Sequence, residues 1–264
     1  MPSAGAFIPV RLDSERLPRK ALFKIAGKTV LEHLIRRVEA VKHIVSKRDI
    51  VICTTTDPSD NELQKLADRI GISCYRGEKN DLIKRFYDAN EVFRFDTILQ
   101  IDGDDPLAPP EYCDLVLRTL VDDEIDVSST TELICGLNVK AFTAAALKRV
   151  YKAYETPNNE TGFGLYFLNE KLCRVNWIKP MKKVHSRPNV RLTLDYPEDL
   201  EVISAVIRRN ATSQAYSIDS ILEVFDLDET LQKKNWERQR EYEVRGNERR
   251  PPFFATVNGE RIQI

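Results

Sequence analysis

Phe7-Ile8-Pro9-Val10-Arg11-Leu12-Asp13-Ser14-Glu15-Arg16-Leu17-Pro18-Arg19-Lys20-Ala21-Leu22 is the stretch from which the fold is read. A short apolar run enters it, and Arg11, Arg16, Arg19 and Lys20 then crowd together with Pro18 and the small Ser14, which oppose a regular helix. The stretch reads as a strand that ends in a basic loop. In an open parallel sheet the loops at the carboxyl ends of the strands form the ligand crevice, and cations held there suit a polyphosphate better than a neutral metabolite. A solvated basic turn is the plain alternative.

Outward from that loop, strand and helix patterns alternate. Thr29 followed by Glu32 has the form of a capping box, and Val30, Leu31, Leu34, Ile35 and Val38 fall on one face, which predicts a helix over 29–42. Asp49 to Thr54 reads as a strand, and Asp57-Pro58 as the N-cap and first residue of a helix that Gly71 stops. A strand at Ile72 to Tyr75, a helix from Asp81 to about Glu91 and a strand at Thr97 to Ile101 follow, the last running into Asp102-Gly103-Asp104-Asp105. A helix is expected from about Glu111 to Val121 and a strand at Asp126 to Thr130. Strands are expected next at Leu137 to Ala141, Leu165 to Leu168 and Cys173 to Trp177, with helices near Thr143 to Tyr154, at Pro197 to about Arg209, and, as one or two pieces, at Ile218 to about Arg240. This alternation is that of an α/β fold with a doubly wound, mostly parallel sheet. Arg249-Arg250-Pro251-Pro252-Phe253-Phe254 reads as a stiff aromatic arm, followed by a hairpin turn at Val257-Asn258-Gly259-Glu260. Burial of its rings is expected either on the same chain or, in a homodimer, against a partner subunit.

Composition narrows the partners. The 40 Lys and Arg nearly balance the 41 Asp and Glu, leaving a net charge of -1 and no global field for nucleic acid or an acidic membrane. No apolar run approaches the ~18 residues of a membrane span and the start has no signal-peptide pattern, so the expectation is a cytoplasmic protein. Cys53, Cys74, Cys113, Cys135 and Cys173 are widely spaced and never form a Cys-x-x-Cys pair, which argues against disulfides and zinc. His33, His43 and His185 show no metal-ligand spacing.

The order of residues in the opening loop carries more than its charge. Arg11-x-x-Ser14-x-Arg16-Leu17-Pro18-x-Lys20-x-Leu22 resembles the signature loop of the cytidylyltransferases that make CMP-activated sugars, in the branch of the CMP-KDO synthetases and SpsF-like spore-coat polysaccharide proteins. Gly27-Lys28-Thr29-Val30-Leu31-Glu32-His33 is similar to the family's GKPMLEH, and Arg76-Gly77 through Asp81 to Arg85 to its RG…D…R stretch. Gly103-Asp104-Asp105-Pro106-Leu107 resembles GDxPL, and Arg191 to Leu200 resembles R-T-D-x-P-E-D-L. The matches run in order over roughly residues 5–205.

The resemblance implies a nucleotide-diphospho-sugar transferase-like, Rossmann-like domain at 1–212, with a smaller mixed-strand region for acceptor and subunit contacts and a C-terminal helical extension at 213–264. It implies an enzyme that transfers CMP from CTP to a sugar acid or sugar-like acceptor with release of pyrophosphate, for surface glycan synthesis, and that uses Mg²⁺. Such chemistry needs cations, a metal and acids to hold it. Arg11, Arg16 and Lys20 are the candidates for the β- and γ-phosphates, with Ser14 adding a hydrogen bond. Asp104 and Asp195 match the family's metal-binding positions, and Mg²⁺ is typically held by one or two carboxylates plus substrate phosphates. Arg19 is expected in solvent, Asp199 as a helix cap, and Asp102 or Asp105 behind the metal ligands. Arg76 and Asp81 are expected either at the base and ribose or as an ordinary structural pair.

Two departures bear on the substrates. Asp102 stands where the CMP-KDO synthetases have Gln, and Asn159-Glu160-Thr161 where SpsF-like proteins tend to show Glu-His-Val, which leaves Glu160 as an acceptor-site candidate without the histidine. Lys182, Lys183, His185 and Arg187 hint at a basic acceptor pocket suited to a phosphorylated or phosphonate acceptor. A nucleotide-binding relative without catalysis is the reading from another class.

Overall fold

The computed structural model describes residues 2–122, 125–211, 213, 216–249 and 252–264, with side chains for all of these except 245–249. Its strands are β1 (Ala4–Pro9), β2 (Lys24–Ile25), β3 (Lys28–Thr29), β4 (Ile50–Thr55), β5 (Ser73–Gly77), β6 (Thr97–Gln100), β7 (Val127–Thr130), β8 (Lys140–Thr143), β9 (Val175–Ile178), β10 (Phe254–Val257) and β11 (Glu260–Gln263). Its helices are α1 (Val30–Val38), α2 (Asn61–Ile70), α3 (Leu82–Phe93), α4 (Pro110–Asp122), α5 (Ala144–Ala153), α6 (Gly164–Phe167), α7 (Pro197–Arg209), α8 (Ile218–Leu227) and α9 (Glu237–Arg249).

Seven strands form one sheet in the order β5-β4-β1-β6-β8-β7-β9. β8 alone runs against its neighbours in this sheet. Strand periodicity explains why both faces are covered. In β1, Ala6 and Ile8 enter one core and Phe7 the other, and in β4 Ile50 and Ile52 separate in the same way from Val51 and Cys53. The first core lies under α1, α2, α4, α7 and α8, and the second under α3, α5, α6 and the β10–β11 hairpin. The strand order turns between β1 and β6, so the loops after these two strands open the crevice at the sheet's carboxyl edge.

The local signals act as their chemistry dictates. Thr29 and Glu32 form a reciprocal capping box on α1, and Asp57 caps a short 3₁₀ turn begun by Pro58 that runs into α2. Gly71, at φ 80°, ends α2. Asn258 (φ 52°) and Gly259 (φ 82°) give β10–β11 the two left-handed residues of a tight hairpin.

Two expectations are corrected. Leu165 to Leu168 does not form a strand. Leu165 to Phe167 lie on α6 with Leu168 as its C-cap, and the adjacent Tyr166 and Phe167 are both fully buried in the same core, a placement that the alternation of a strand would forbid. The strand expected at 137–141 starts only at Lys140, because Leu137 closes a turn onto Ile134 O. Of the two placements expected for the aromatic arm, the structure shows the one on its own chain: Phe253 is 1% exposed with its ring 5.3 Å from that of Tyr166, and Ala255 bridges Tyr154. Arg261 covers the half-buried Phe254 at 3.8 Å. Arg250 and Pro251 of the arm lie outside the described residues.

Candidate active site

A cavity of about 760 Å³ opens at the β1–β6 switch point. The loop after β1 brings Arg11, Ser14, Arg16 and Lys20 to it, the loop after β6 brings Asp102, Asp104 and Asp105, and the segment before α7 brings Asp195. The loops can meet because Gly103 has no side chain: a Cβ there would stand 2.7 Å from Val10 Cβ and 3.0 Å from Pro9 O. Asp195 is drawn in from far along the chain by two backbone bonds, Leu192 N to Cys135 O at 2.8 Å and Leu194 N to Asp104 O at 2.8 Å. Gly136, at φ 91°, leaves room for that pairing, since a Cβ would lie 2.3 Å from Thr193 N.

Lys20 is the centre of the arrangement. Its Nζ donates to Asp104 Oδ2 at 2.7 Å and to Asp195 Oδ1 at 3.0 Å, and its side chain is 12% exposed. Burial pulls the Lys20 pKa down, but attraction by Asp104 and Asp195 outweighs it and holds the ammonium above its ordinary value. Burial in turn pushes Asp195 up, and Lys20 and Arg16, which ion-pairs with it, bring it below the carboxylate range. The remaining oxygen of Asp195 accepts from Arg191 Nη2 at 2.8 Å.

The other two acids behave differently. Asp105 is pushed well above the ordinary value by burial and by Asp104 and Asp102, and its Oδ1 is buried without a hydrogen-bond partner among the described residues. Burial also raises Asp102, which accepts from Gln100 Nε2 at 2.7 Å. Asp199 caps α7 through the backbone N–H groups of Asp195 and Tyr196, both at 2.9 Å, so it supports the segment that carries Asp195.

Glu160 reaches the same cavity, paired with Arg11 and 3.6 Å from Arg85, and burial raises its pKa. Arg76, Asp81 and Arg187 are not brought there. Arg76 spends its guanidinium on Thr55 O, Asp57 O and Asn61 Oδ1 at 2.8, 2.8 and 2.7 Å. Asp81 caps α3 and accepts from Tyr154 and Asn159 at 2.7 and 2.8 Å. Arg187 pairs with Asp226 and Lys182 with Asp219, while His185 is buried against Tyr112 Oη at 2.8 Å, so the run 182–187 supplies no basic wall. Arg19 pairs at the surface with Glu62.

Residues 6–218 match the cytidylyltransferase family. The chain belongs to that family. It is therefore an enzyme, a CTP-dependent nucleotidyltransferase of α/β fold. This cytidylyltransferase is 32% identical over 196 residues to an uncharacterized protein of Methanocaldococcus jannaschii, with 74% of the chain and 79% of the relative covered. It is 28% identical over 207 residues to the spore coat polysaccharide biosynthesis protein SpsF of Bacillus subtilis, covering 76% and 85%. The structure resembles a cytidylyltransferase from Leptospira borgpetersenii with a TM-score of 0.78 at 23% identity, covering 88% of this chain and 97% of that one. It also resembles a CMP-KDO synthetase complexed with CTP, with a TM-score of 0.60 at 17% identity, covering 78% and 99%.

The cytidylyltransferase cavity has further walls that its motifs did not announce. Gln100 precedes Asp102 by two residues and so shares its face of the β6 segment, a signal that strand alternation makes legible. Lys140 lies opposite Gln100 in the β6–β8 register, with its Nζ 5.3 Å from the Phe163 ring. Tyr242 and Glu243 come from α9, beyond the family match, and nothing local in their sequence points to the cavity.

Proposed function

We propose that this cytidylyltransferase transfers CMP from CTP to a hydroxyl of a sugar acid or related sugar-like acceptor, with Asp104 and Asp195 holding Mg²⁺. One observation carries the reading: both acids converge on a single cationic atom, Lys20 Nζ, inside the cavity that also holds Arg11 and Arg16. Convergence of two carboxylates on one positive centre fits a divalent cation, which needs only one or two protein carboxylates when phosphate oxygens and water complete its shell.

In the reaction the acceptor oxygen attacks the α-phosphorus of CTP, an O–P bond forms, and the bond to the bridging oxygen breaks with its electron pair leaving on pyrophosphate. The acceptor proton passes to solvent. Arg11, Arg16 and Lys20 bind and orient the β- and γ-phosphates, and the charge-assisted bonds from Lys20 strengthen as the leaving oxygen gains charge. Mg²⁺, when bound, neutralises charge on the phosphate oxygens. Lys20 then exchanges its carboxylate partners for phosphate. A hydroxyl acceptor is favoured over a phosphorylated one because Lys182 and Arg187 pair with Asp219 and Asp226 and no residue of 182–187 lines the cavity. The discriminating reading, a nucleotide binder without chemistry, has no use for acids and cations grouped in this way.

The test is pyrophosphate release from CTP and from UTP across sugar acids, neutral sugars and sugar phosphates, with calorimetry of both nucleotides. Equal use of UTP would remove the cytidylyl preference. Turnover confined to sugar phosphates would overturn the hydroxyl acceptor.

A further inference from the structure

The C-terminal segment crosses back over the catalytic cavity after the family match has ended at residue 218. Its contacts concentrate on one residue, Arg191, which is fully buried. Asn235, 1% exposed, donates from Nδ2 to Arg191 O at 3.0 Å and to Asp199 Oδ1 at 2.8 Å. Gln239 Oε1 accepts from Arg191 Nη1 at 2.9 Å, and the Tyr242 ring lies 4.7 Å from the Arg191 guanidinium carbon. Arg191 in turn donates through Nη2 to Asp195 Oδ2 at 2.8 Å and through Nε to Asp199 Oδ1 at 3.1 Å.

A hydrogen-bonded chain therefore runs from Asp195 through Arg191 to Gln239 and on to Glu243, whose Oε1 accepts from Gln239 Nε2 at 2.8 Å. The chain fixes the amide: its oxygen must face a guanidinium and its nitrogen a carboxylate. A guanidinium with three anchored nitrogens and an aromatic cover has one orientation open to it, and the carboxylate it holds has the same restriction. Without α9, Arg191 would meet water, and Asp195 could follow it or turn entirely to Lys20 and Arg16.

We propose that Gln239 and Tyr242 of α9, with Asn235 before it, are positioning residues for Asp195, acting through Arg191, so that the catalytic site includes a segment outside the part shared across the family. The proposal rests on the reading of Asp195 as a metal ligand. Partners one step behind a metal ligand typically change metal affinity by about 10- to 100-fold when removed.

The test uses the full chain and Mn²⁺ as a paramagnetic probe. Mn²⁺ affinity of the CTP complex is measured by electron paramagnetic resonance for the parent, Asp195→Asn, Gln239→Leu, Gln239→Glu, Tyr242→Ala and Tyr242→Phe. Gln239→Leu and Tyr242→Ala should lose about tenfold or more, whereas Gln239→Glu, which still accepts from Arg191 while the exposed Glu243 turns into solvent, and Tyr242→Phe, which keeps the ring, should stay within about threefold. Metal-free CTP affinity should not change in Gln239→Leu, because Gln239 does not line the cavity. Hydrogen exchange at Arg191 Nε–H, read by NMR without metal, should speed up in the first pair and not in the second. Parent-like Mn²⁺ affinity in Gln239→Leu and Tyr242→Ala, beside a clear loss in Asp195→Asn, overturns the positioning role. Parent-like affinity in Asp195→Asn sinks the metal reading itself, and unchanged exchange at Arg191 then removes the clamp as well.

Discussion

Replacing Lys20 by Met keeps the length of the side chain and removes its charge, leaving Asp104 and Asp195 facing one another without the cation that bridges them at 2.7 and 3.0 Å. Asp195 is 2% exposed, so water cannot replace what is lost there. Removing one partner of a buried pair costs about 3–5 kcal/mol, because the remaining charge stays buried. Arg16 and Arg191 still hold Asp195, which places the expected loss at the low end, about 3 kcal/mol. At roughly 2–4 °C per kcal/mol for a chain of this size, melting should fall by about 6–12 °C. The same change turns the two acids into an open cation site. Mn²⁺ should restore the variant by about 2.7 kcal/mol at a hundredfold excess over its Kd, and the parent by much less. CTP affinity should fall while CMP, which lacks the β- and γ-phosphates, binds as before. The assay is thermal unfolding with and without MnCl₂, followed by calorimetry of CTP and CMP. A variant as stable as the parent, or one that Mn²⁺ does not rescue preferentially, would refute Lys20 as an internal stand-in for a cation.

Asp104→Asn and Asp195→Asn should each lower the rate of pyrophosphate release by orders of magnitude with folding retained, and near-normal rates in both would remove the metal assignment. Because Asp195 is held below its unfolded value of about 3.9, its contribution is complete above that pH and is lost as pH falls through the folded value; acid unfolding of the parent should therefore be steeper there than that of Asp195→Asn. Asp81→Ala removes the α3 cap and should cost about 0.5–2 kcal/mol in denaturant unfolding while CTP affinity stays unchanged, whereas a role at the base or ribose would weaken CTP. Phe253→Ala should cost about 3–5 kcal/mol with no change of mass in solution, since the ring is buried within its own chain; a shift towards a lighter species would restore the subunit contact.

The sequence by itself determined the elements whose cause is local. Short continuous apolar runs set β1, β4 and β6, caps at Thr29, Asp57 and Asp81 set helix starts, and the order of residues from Arg11 to Lys20 pointed to the loop that lines the cavity. These signals survive in a single sequence because the interactions behind them span only a few residues. Contacts between distant segments leave no such trace. Only the folded chain decided that Arg76 and Arg187 turn to backbone carbonyls and to Asp226, and that Phe253 covers Tyr166. The same holds for Lys140 opposite Gln100 and for Tyr242 above Arg191. A cation finds its partner by distance and burial, and both are fixed by sheet order and by the path of the last helix, which short-range patterns do not encode.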